Sequence, residues 1–254
     1  MKSQLFAAAF AVANLAASAT FTNDILEAES AVELPTIEIG VTYRTAKIEY
    51  GMVENDESVF GYEIEIGWYG LFGGFEACHD MTGVNGRRGR YNEIESFLGY
   101  GFTLGDFTAK SAYVCKSVFV GEPDTQEAEV ELEYETPWVT PFVALECDTR
   151  EKPGALYGVL GLHRDWELCD GLTLVTCGGV GFGNPYHNDW CFNRDRWAFR
   201  EIHLGAELAI ELCPHVKLVP GIDFYDCFTA AQRETYDKFN GFIAVASCRL
   251  AVEF

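Results

Sequence analysis

The chain has 254 residues, with 39 acidic and 18 basic side chains and a formal net charge of −21. This charge argues against nucleic acid as a partner, because phosphate binding requires a basic surface, and it makes cations the natural counter-species. Hydrophobic residues make up 48% of the chain, yet no segment approaches the roughly 20 consecutive apolar residues of a membrane-spanning helix.

The N-terminal segment has the features of a secretory signal peptide. Lys2 gives a short basic start, the run from Leu5 to Ala17 is almost wholly apolar, and Ala17-Ser18-Ala19 is a small-residue cleavage site. A buried N-terminal helix is the weaker alternative. We therefore predict three regions: a signal peptide at 1–19, an N-terminal periplasmic segment at 20–35 and one barrel domain at 36–254.

From residue 36 onward the chain consists of short alternating segments separated by turn residues. Most have about the 9–11 residues that a tilted membrane-spanning strand needs. We predict an all-β fold, a single transmembrane antiparallel up-and-down β-barrel of about twelve strands. The predicted strands are 36–45, 59–69, 71–80, 91–103, 107–119, 126–135, 139–148, 154–166, 171–182, 199–213, 216–227 and 242–254.

The connections between these strands alternate between short and long. Tight turns are predicted at 69–71, 104–106, 136–138, 169–171 and 213–215. Longer loops are predicted at 46–58, 81–90, 120–125, 149–153, 183–198 and 228–241. Outer-membrane barrels have short periplasmic turns and long extracellular loops, whereas a soluble β-sandwich has no reason to alternate in this way.

Alternation within each strand predicts which side chains face lipid. In the second predicted strand, Tyr62, Ile64 and Ile66 face outward, whereas Glu63 and Glu65 face inward, because a charge on the lipid face is costly. Aromatic side chains near the short turns predict an interfacial girdle. These aromatic residues are Trp68, Tyr69, Trp138 and Trp166.

The inward positions predict an acidic lumen. The pore-lining acidic residues are predicted to be Glu63, Glu65, Glu93, Glu95, Glu127, Glu129, Glu131, Glu133, Glu146, Glu207 and Glu211. The pore-lining basic residues are predicted to be Arg44, Lys110, Lys116, Lys217 and Arg249. Such a lumen favours cations. Two arrangements stay open, an open channel and a neutralising ionic network that fills a narrow barrel, with Tyr157 and Phe142 adding bulk.

The last thirteen residues, Phe242 to Phe254, alternate along their whole length and end on an aromatic residue. This pattern is typical of the closing strand of an outer-membrane barrel. We expect Leu250, Val252 and Phe254 to lie on its lipid face.

Other kinds of site have weaker support. The nine cysteines are irregularly spaced and include no CxxC pair, which argues against a disulfide framework. Cys191, with His187 and Asp189, could supply zinc ligands but lacks a second Cys or His pair. A hydrolytic site using His79-Asp80 or His163 and Asp165 lacks a recognisable nucleophile motif. We predict no enzyme activity, catalytic residue, cofactor or metal site.

Several motifs, taken in order, resemble those of the TorF-type putative porins, small β-barrels of Gram-negative outer membranes. The motifs are Gly40-Val-Thr-Tyr-Arg44, Tyr91-Asn-Glu-Ile-Glu-Ser-Phe-Leu-Gly-Tyr100, Gln126-Glu127-Ala-Glu129, Leu156-Tyr-Gly-Val-Leu-Gly-Leu162, Asp170-Gly-Leu-Thr-Leu174 and the terminal Phe254. The resemblance implies a barrel of about this size with a presumed transport role, and it supplies no functional residues.

The sequence therefore predicts an outer-membrane porin-like barrel that lets small cations or small polar solutes diffuse passively through an acidic lumen. The alternative is a closed structural or surface-binding barrel that acts through its extracellular loops, where Tyr186, Trp190, Phe192 and Trp197 cluster. The expected partners are outer-membrane lipid, the barrel-assembly machinery and small cations or polar solutes, with no nucleic acid. An oligomer is compatible with the sequence.

Overall fold

The computed structural model describes residues 34–50, 52–82, 88–119, 124–227 and 242–254. Twelve of the strands in these ranges form a closed antiparallel barrel. The elements are β1 (Thr36–Arg44), β2 (Lys47–Glu49), β3 (Met52–Asn55), β4 (Val59–Trp68), β5 (Leu71–Asp80), β6 (Tyr91–Leu104), β7 (Phe107–Val118), β8 (Thr125–Tyr134), β9 (Thr140–Asp148), β10 (Leu156–Cys169), β11 (Leu172–Gly183), α1 (Pro185–Phe192), β12 (Ala198–Cys213), β13 (Val216–Cys227) and β14 (Phe242–Glu253).

The predicted twelve-stranded barrel is confirmed, and its strand ends differ from the predicted ones by no more than three residues. Each barrel strand pairs with its neighbour in sequence, and β14 closes the barrel by pairing with β1. In this seam Leu250 lies opposite Val41, and Val252 lies opposite Ile39. The amide of Phe254 donates to the carbonyl oxygen of Ile37 at 2.9 Å.

The outer face of the barrel is apolar. Along β4, Tyr62, Ile64 and Ile66 are exposed, whereas Glu63 and Glu65 between them are half-buried. At the short-turn end the rings of Trp68 and Tyr69 lie 5.2 Å apart. An exposed apolar band with aromatic rings at one edge suits a lipid environment, because only alternate residues of a spanning strand face lipid.

Glycines on the inner face make room for side chains of the neighbouring strand. A β-carbon on Gly40 would overlap the carboxylate of Glu63, and one on Gly181 would overlap that of Glu201. The aromatic ring of Phe142 lies over Gly161 in the same way. The narrow barrel can therefore hold long inward side chains against its own wall.

The first long connection, which the sequence predicts as a loop, contains a second, smaller sheet. Strands β2 and β3 pair as a hairpin, and all three residues of β2 are buried. Strands of three and four residues are too short to show a clear alternation, so the sequence pattern does not predict this hairpin. We call β2, Tyr50 and β3 the plug hairpin.

The fifth long connection contains the helix α1, which was also predicted as loop. Asn184 caps the helix by accepting a hydrogen bond from the amide of His187 at 2.9 Å, and Pro185 occupies the first turn. Asn193 ends it in the left-handed conformation, with φ of 54°. The Asn-Pro pair is a helix start signal, but eight residues without an apolar stripe gave no helical pattern.

Among the described residues, no helix is long and apolar enough to cross a membrane. Several predictions fall outside these residues. They are the signal peptide at 1–19, the periplasmic segment up to residue 33, and residues 83–87, 120–123 and 228–241 of the long loops.

Candidate functional site in the barrel lumen

The structure places the predicted lumen residues at different depths. Four of the carboxylates are buried, namely Glu93, Glu127, Glu131 and Glu146. Half-buried carboxylates are Glu63, Glu65, Glu95, Glu129, Glu133 and Glu207, and the half-buried bases are Arg44, Lys110, Lys217 and Arg249. Lys116 is buried. Glu211 is exposed next to the short turn at Gly171, which places it at the barrel rim.

The plug hairpin lies across the outer end of the lumen. It contacts β6 through Glu93, β7 through Lys116 and β8 through Glu127. It also packs against β14 on another side of the barrel, where Ala46 and Ile48 join Ile243 and Val245 in an apolar cluster. Because β8 and β14 lie on opposite sides of the twelve-stranded barrel, the hairpin occupies the lumen rather than covering it from outside.

Lys47 is the first of two buried bases that hold the plug hairpin. Its ammonium group lies 2.9 Å from Glu49, 2.7 Å from Glu54 and 2.6 Å from Glu93. Glu93 belongs to the barrel strand β6, so this pairing joins the hairpin to the barrel wall. A buried ammonium group needs such partners, because an unpaired buried charge is costly.

Lys116 is the second base, and it reaches the hairpin from β7. Its ammonium group lies 2.7 Å from Glu49, 3.0 Å from Glu127 and 3.6 Å from Glu95, and it donates to the Tyr50 hydroxyl at 2.8 Å. Tyr50 donates in turn to Glu127 at 2.6 Å. Five carboxyl groups therefore surround two ammonium groups in the cluster around Lys47 and Lys116.

Helix α1 fills the space beside the plug hairpin. The His187 ring lies 5.2 Å from the ring of Tyr50 and 5.6 Å from that of Tyr157, measured between centroids. The fully buried guanidinium group of Arg200 lies over the ring of Phe192 at 4.4 Å and donates to His187 Nδ1 at 2.5 Å. Groups from two loops thus pack the outer mouth. Tyr157 of the barrel wall adds further bulk there.

The sequence pattern does not predict several of the residues that pack the outer mouth. Lys47, Glu49 and Tyr50 lie in a predicted loop, and Arg200 precedes the inward residue Glu201. Both Arg200 and Glu201 are buried, because the pairing of β11 with β12 shifts register between Val180 and Phe182. Such a bulge brings two consecutive side chains to the inner side, and strict alternation cannot predict it.

The histidines of the weaker alternative sites lie apart. His79 is on β5 and His163 on β10, strands that are not neighbours in the barrel, so the two candidate pairs of histidine and acid are separate. Cys191 Sγ lies 3.8 Å from His187 Nδ1, but that nitrogen accepts the hydrogen bond from Arg200 and has no lone pair left for a metal. Among the described residues, the cysteines at positions 78, 115, 147, 169, 177, 213 and 248 are free thiols.

Burial shifts the pKa values of groups in these two loops. It raises the pKa of Glu54 from 4.5 to about 8, with the nearby charge of Glu49 acting in the same direction and that of Lys47 opposing it. Burial lowers the pKa of His187 well below its usual value, and the charge of Arg200 adds to this effect. His187 is therefore neutral near neutral pH.

Comparison with solved structures supports the same fold. The NanC porin superposes with a TM-score of 0.50 at 11% identity, covering 86% of this chain and 98% of the porin. The chain has a porin-like barrel fold. The KdgM porin, solved in complex with a disordered oligogalacturonate, gives a TM-score of 0.50 at 8% identity, with coverage of 86% and 98%.

No protein-family model matches this sequence, and no curated protein matches it significantly. At these low identities the likeness to the two porins concerns the fold. A closed barrel with an apolar outer face and a polar interior is the architecture of an outer-membrane protein. The predicted localisation in the outer membrane is therefore confirmed.

The pKa of Glu54 predicts that alkaline pH loosens the plug hairpin. The docked hairpin favours protonated Glu54, so this contribution to docking is full below pH 4.5 and is lost as the pH rises through about 8. We expect ion conductance in planar bilayers to rise between about pH 5 and about pH 9. Glu54→Gln keeps a neutral side chain at every pH and should weaken this rise; an identical pH profile in the variant contradicts the assignment.

Proposed function

We propose that this porin-like barrel lets small cations diffuse passively across the outer membrane through a narrow acidic lumen. The excess of inward carboxylates over inward bases is the observation that carries the proposal. Even in the cluster around Lys47 and Lys116, and without counting the protonated Glu54, four carboxyl groups face two ammonium groups. A low-dielectric wall lined by one sign of charge concentrates counter-ions.

The lumen below the plug hairpin supports the same proposal. On β8, Glu131 lies 2.8 Å from Lys110, and Glu133 lies 3.9 Å from it. Arg249 pairs with both Glu38 and Glu63. In each of these groups one base faces two carboxylates, which leaves a net negative charge for mobile cations to neutralise.

Neutralising the β8 carboxylates tests this function. The triple variant Glu129→Gln, Glu131→Gln and Glu133→Gln is expected to move the cation-to-anion permeability ratio toward unity, because it removes three charges from one wall of the lumen. The measurement is the reversal potential of the refolded protein in a planar bilayer under a salt gradient. Unchanged ion selectivity would exclude this row from the conducting path.

A charge-matched control separates local from global effects of the triple variant. Asp106, Glu151 and Asp170 are exposed in the connections between barrel strands. Replacing them by the corresponding amides removes the same number of carboxylates without touching the described lumen contacts. The control should keep the reversal potential of the parent protein, and a shift as large as that of the lumen variant would contradict the proposal.

The packed outer mouth supports a second candidate, a closed barrel that binds a partner through its outer loops. Tyr186 and Trp197 leave 70% and 60% of their surface exposed beside α1. Exposed aromatic rings of this kind suit a contact surface. Deleting the α1 loop distinguishes the two functions: conductance should rise if the loop obstructs a channel, and it should stay near zero if the barrel is closed throughout.

The proposal includes three finer points. The resemblance to TorF-type putative porins covers most of the mature chain and fits a transport role. Because the barrels with a similar fold include the NanC and KdgM porins, we also propose that the protein has no catalytic activity. Small polar solutes are the other class of substrate that an acidic lumen of this kind admits.

A further inference from the structure

Three neighbouring strands bring a cysteine, a histidine and an aspartate together below the plug hairpin. Cys177 on β11 lies opposite Gly205 on β12, which lies opposite Asp223 on β13. His203 precedes Gly205 by two residues and therefore shares its face of β12. All three side chains line a cavity that, with the part open to solvent, encloses about 780 Å³.

The donor atoms of these side chains converge on one point. Cys177 Sγ, a ring nitrogen of His203 and a carboxylate oxygen of Asp223 all lie within 4.8 Å of one another. A β-carbon on Gly205 would lie 2.5 Å from Asp223 Oδ1, 2.7 Å from Cys177 Sγ and 3.3 Å from His203 Nε2. Glycine therefore leaves room for the three donor groups to approach one another, and small side-chain shifts would bring all three within the metal–ligand distance of about 2.0–2.3 Å of an ion in the cavity.

The surroundings hold the histidine in position. The ring of Tyr225 stacks on that of His203 with centroids 4.6 Å apart and planes 11° apart. His203 Nε2 and Asp223 Oδ1 lie 2.9 Å apart, so the two ligands already face each other. Glu207 lines the same cavity, together with Arg44 and Arg249, whose charges offset the carboxylates when no metal is bound.

We propose that Cys177, His203 and Asp223 bind a divalent transition-metal ion of the zinc type inside the lumen. Sulfur, imidazole and carboxylate donors together suit zinc, whereas magnesium and calcium prefer oxygen donors. Binding forms a metal–thiolate bond and releases the Cys177 thiol proton to solvent. It also replaces the hydrogen bond between His203 Nε2 and Asp223, and the neutral imidazole then keeps its proton on Nδ1. Three protein ligands leave a fourth position for water or a lumen solute.

The all-carboxylate cluster of Glu49, Glu93 and Glu95 is a weaker candidate. Its oxygens also lie within 4.8 Å of one another, but Lys47 and Lys116 already place ammonium groups among them. The two ammonium groups therefore occupy the space that a metal ion would need. The site at Cys177 is independent of ion conduction, so its test does not depend on the proposed function.

Cobalt(II) is a suitable probe, because thiolate ligation gives a charge-transfer band that oxygen and nitrogen ligands do not give. We expect the refolded full-length barrel to show this band on cobalt titration and to lose it when zinc is added. Cys177→Ser should abolish the band, and Asp223→Asn should weaken binding at least about tenfold. Cys115→Ser, which alters a half-buried cysteine on the outer face of β7, should leave the titration unchanged.

Gly205→Ala tests the geometry while keeping all three ligands. The added methyl group would lie 2.5 Å from Asp223 Oδ1 and 2.7 Å from Cys177 Sγ, so both ligands must move away and cobalt affinity should fall at least about tenfold. If this variant does not fold, Cys177→Ser and Asp223→Asn carry the test. A folded parent barrel that gives no thiolate band, or a Cys177→Ser variant that binds cobalt as the parent does, overturns the proposal.

Discussion

Replacing Lys116 by methionine is expected to release the plug hairpin from the lumen and to raise the conductance of the barrel. The lysine lies within 3.0 Å of Glu49, Tyr50 and Glu127. Removing one partner of a buried ionic cluster costs about 3–5 kcal/mol while the remaining charges stay buried. The hairpin can avoid this cost by moving into solvent, because it is a loop and not part of the barrel wall.

Single-channel current in a planar bilayer measures this effect, and Lys110→Met is the matched control. Lys110 lies six residues earlier on the same face of β7, and it pairs with Glu131 and Glu133 of the barrel wall. The control removes the same charge without touching the described hairpin contacts, so its conductance should change much less. Equal conductance in the two variants would show that Lys116 does not hold the hairpin.

Replacing Arg249 by methionine is expected to destabilise the closed barrel by about 1.5–3 kcal/mol, as for the loss of a hydrogen bond to a charged group. Arg249 lies on β14 and pairs with Glu38 on β1 and Glu63 on β4. It therefore joins three strands across the seam where the two ends of the sheet meet. Both glutamates are partly exposed, which keeps the expected loss below that of a fully buried pair.

The urea midpoint for unfolding from lipid vesicles measures this loss, and Lys217→Met is the control. Lys217 lies on the adjacent strand β13, where its ammonium group is 3.6 Å from Glu253 and about a third exposed. Exposed pairs contribute about 0–1 kcal/mol. A drop in midpoint for Lys217→Met that equals that for Arg249→Met would mean that closure does not depend on the Arg249 pairs.

The barrel was predictable because its constraints repeat along the sequence. Inward charges such as Glu63 and Glu65 alternate with lipid-facing residues, and every second connection is tight, so twelve strands and their facing follow from local patterns. The short turns also carry local signals, such as Gly70 with φ of 79°. These features are set by residues close together in the chain.

The contents of the lumen were only partly predictable. The sequence indicated an acidic interior, but contacts such as Tyr50 with Glu127 join residues 77 positions apart. The alignment of Cys177, Gly205 and Asp223 depends on the registers of two strand pairs. Neither a short hairpin nor a cross-strand register leaves a periodic signal, so both required the three-dimensional structure.

The glycines that lie beneath inward side chains restrict how this sequence can change in evolution. Lipid-facing positions need only an apolar side chain, so they can exchange residues freely, and a barrel can keep its fold while identity to the NanC porin is 11%. At Gly40 and Gly181 an exchange has a further effect, because a methyl group there would displace the carboxylate of Glu63 or Glu201. We expect sequences related to this one to differ most at positions on the outer face. They should retain these glycines together with the carboxylates that cover them.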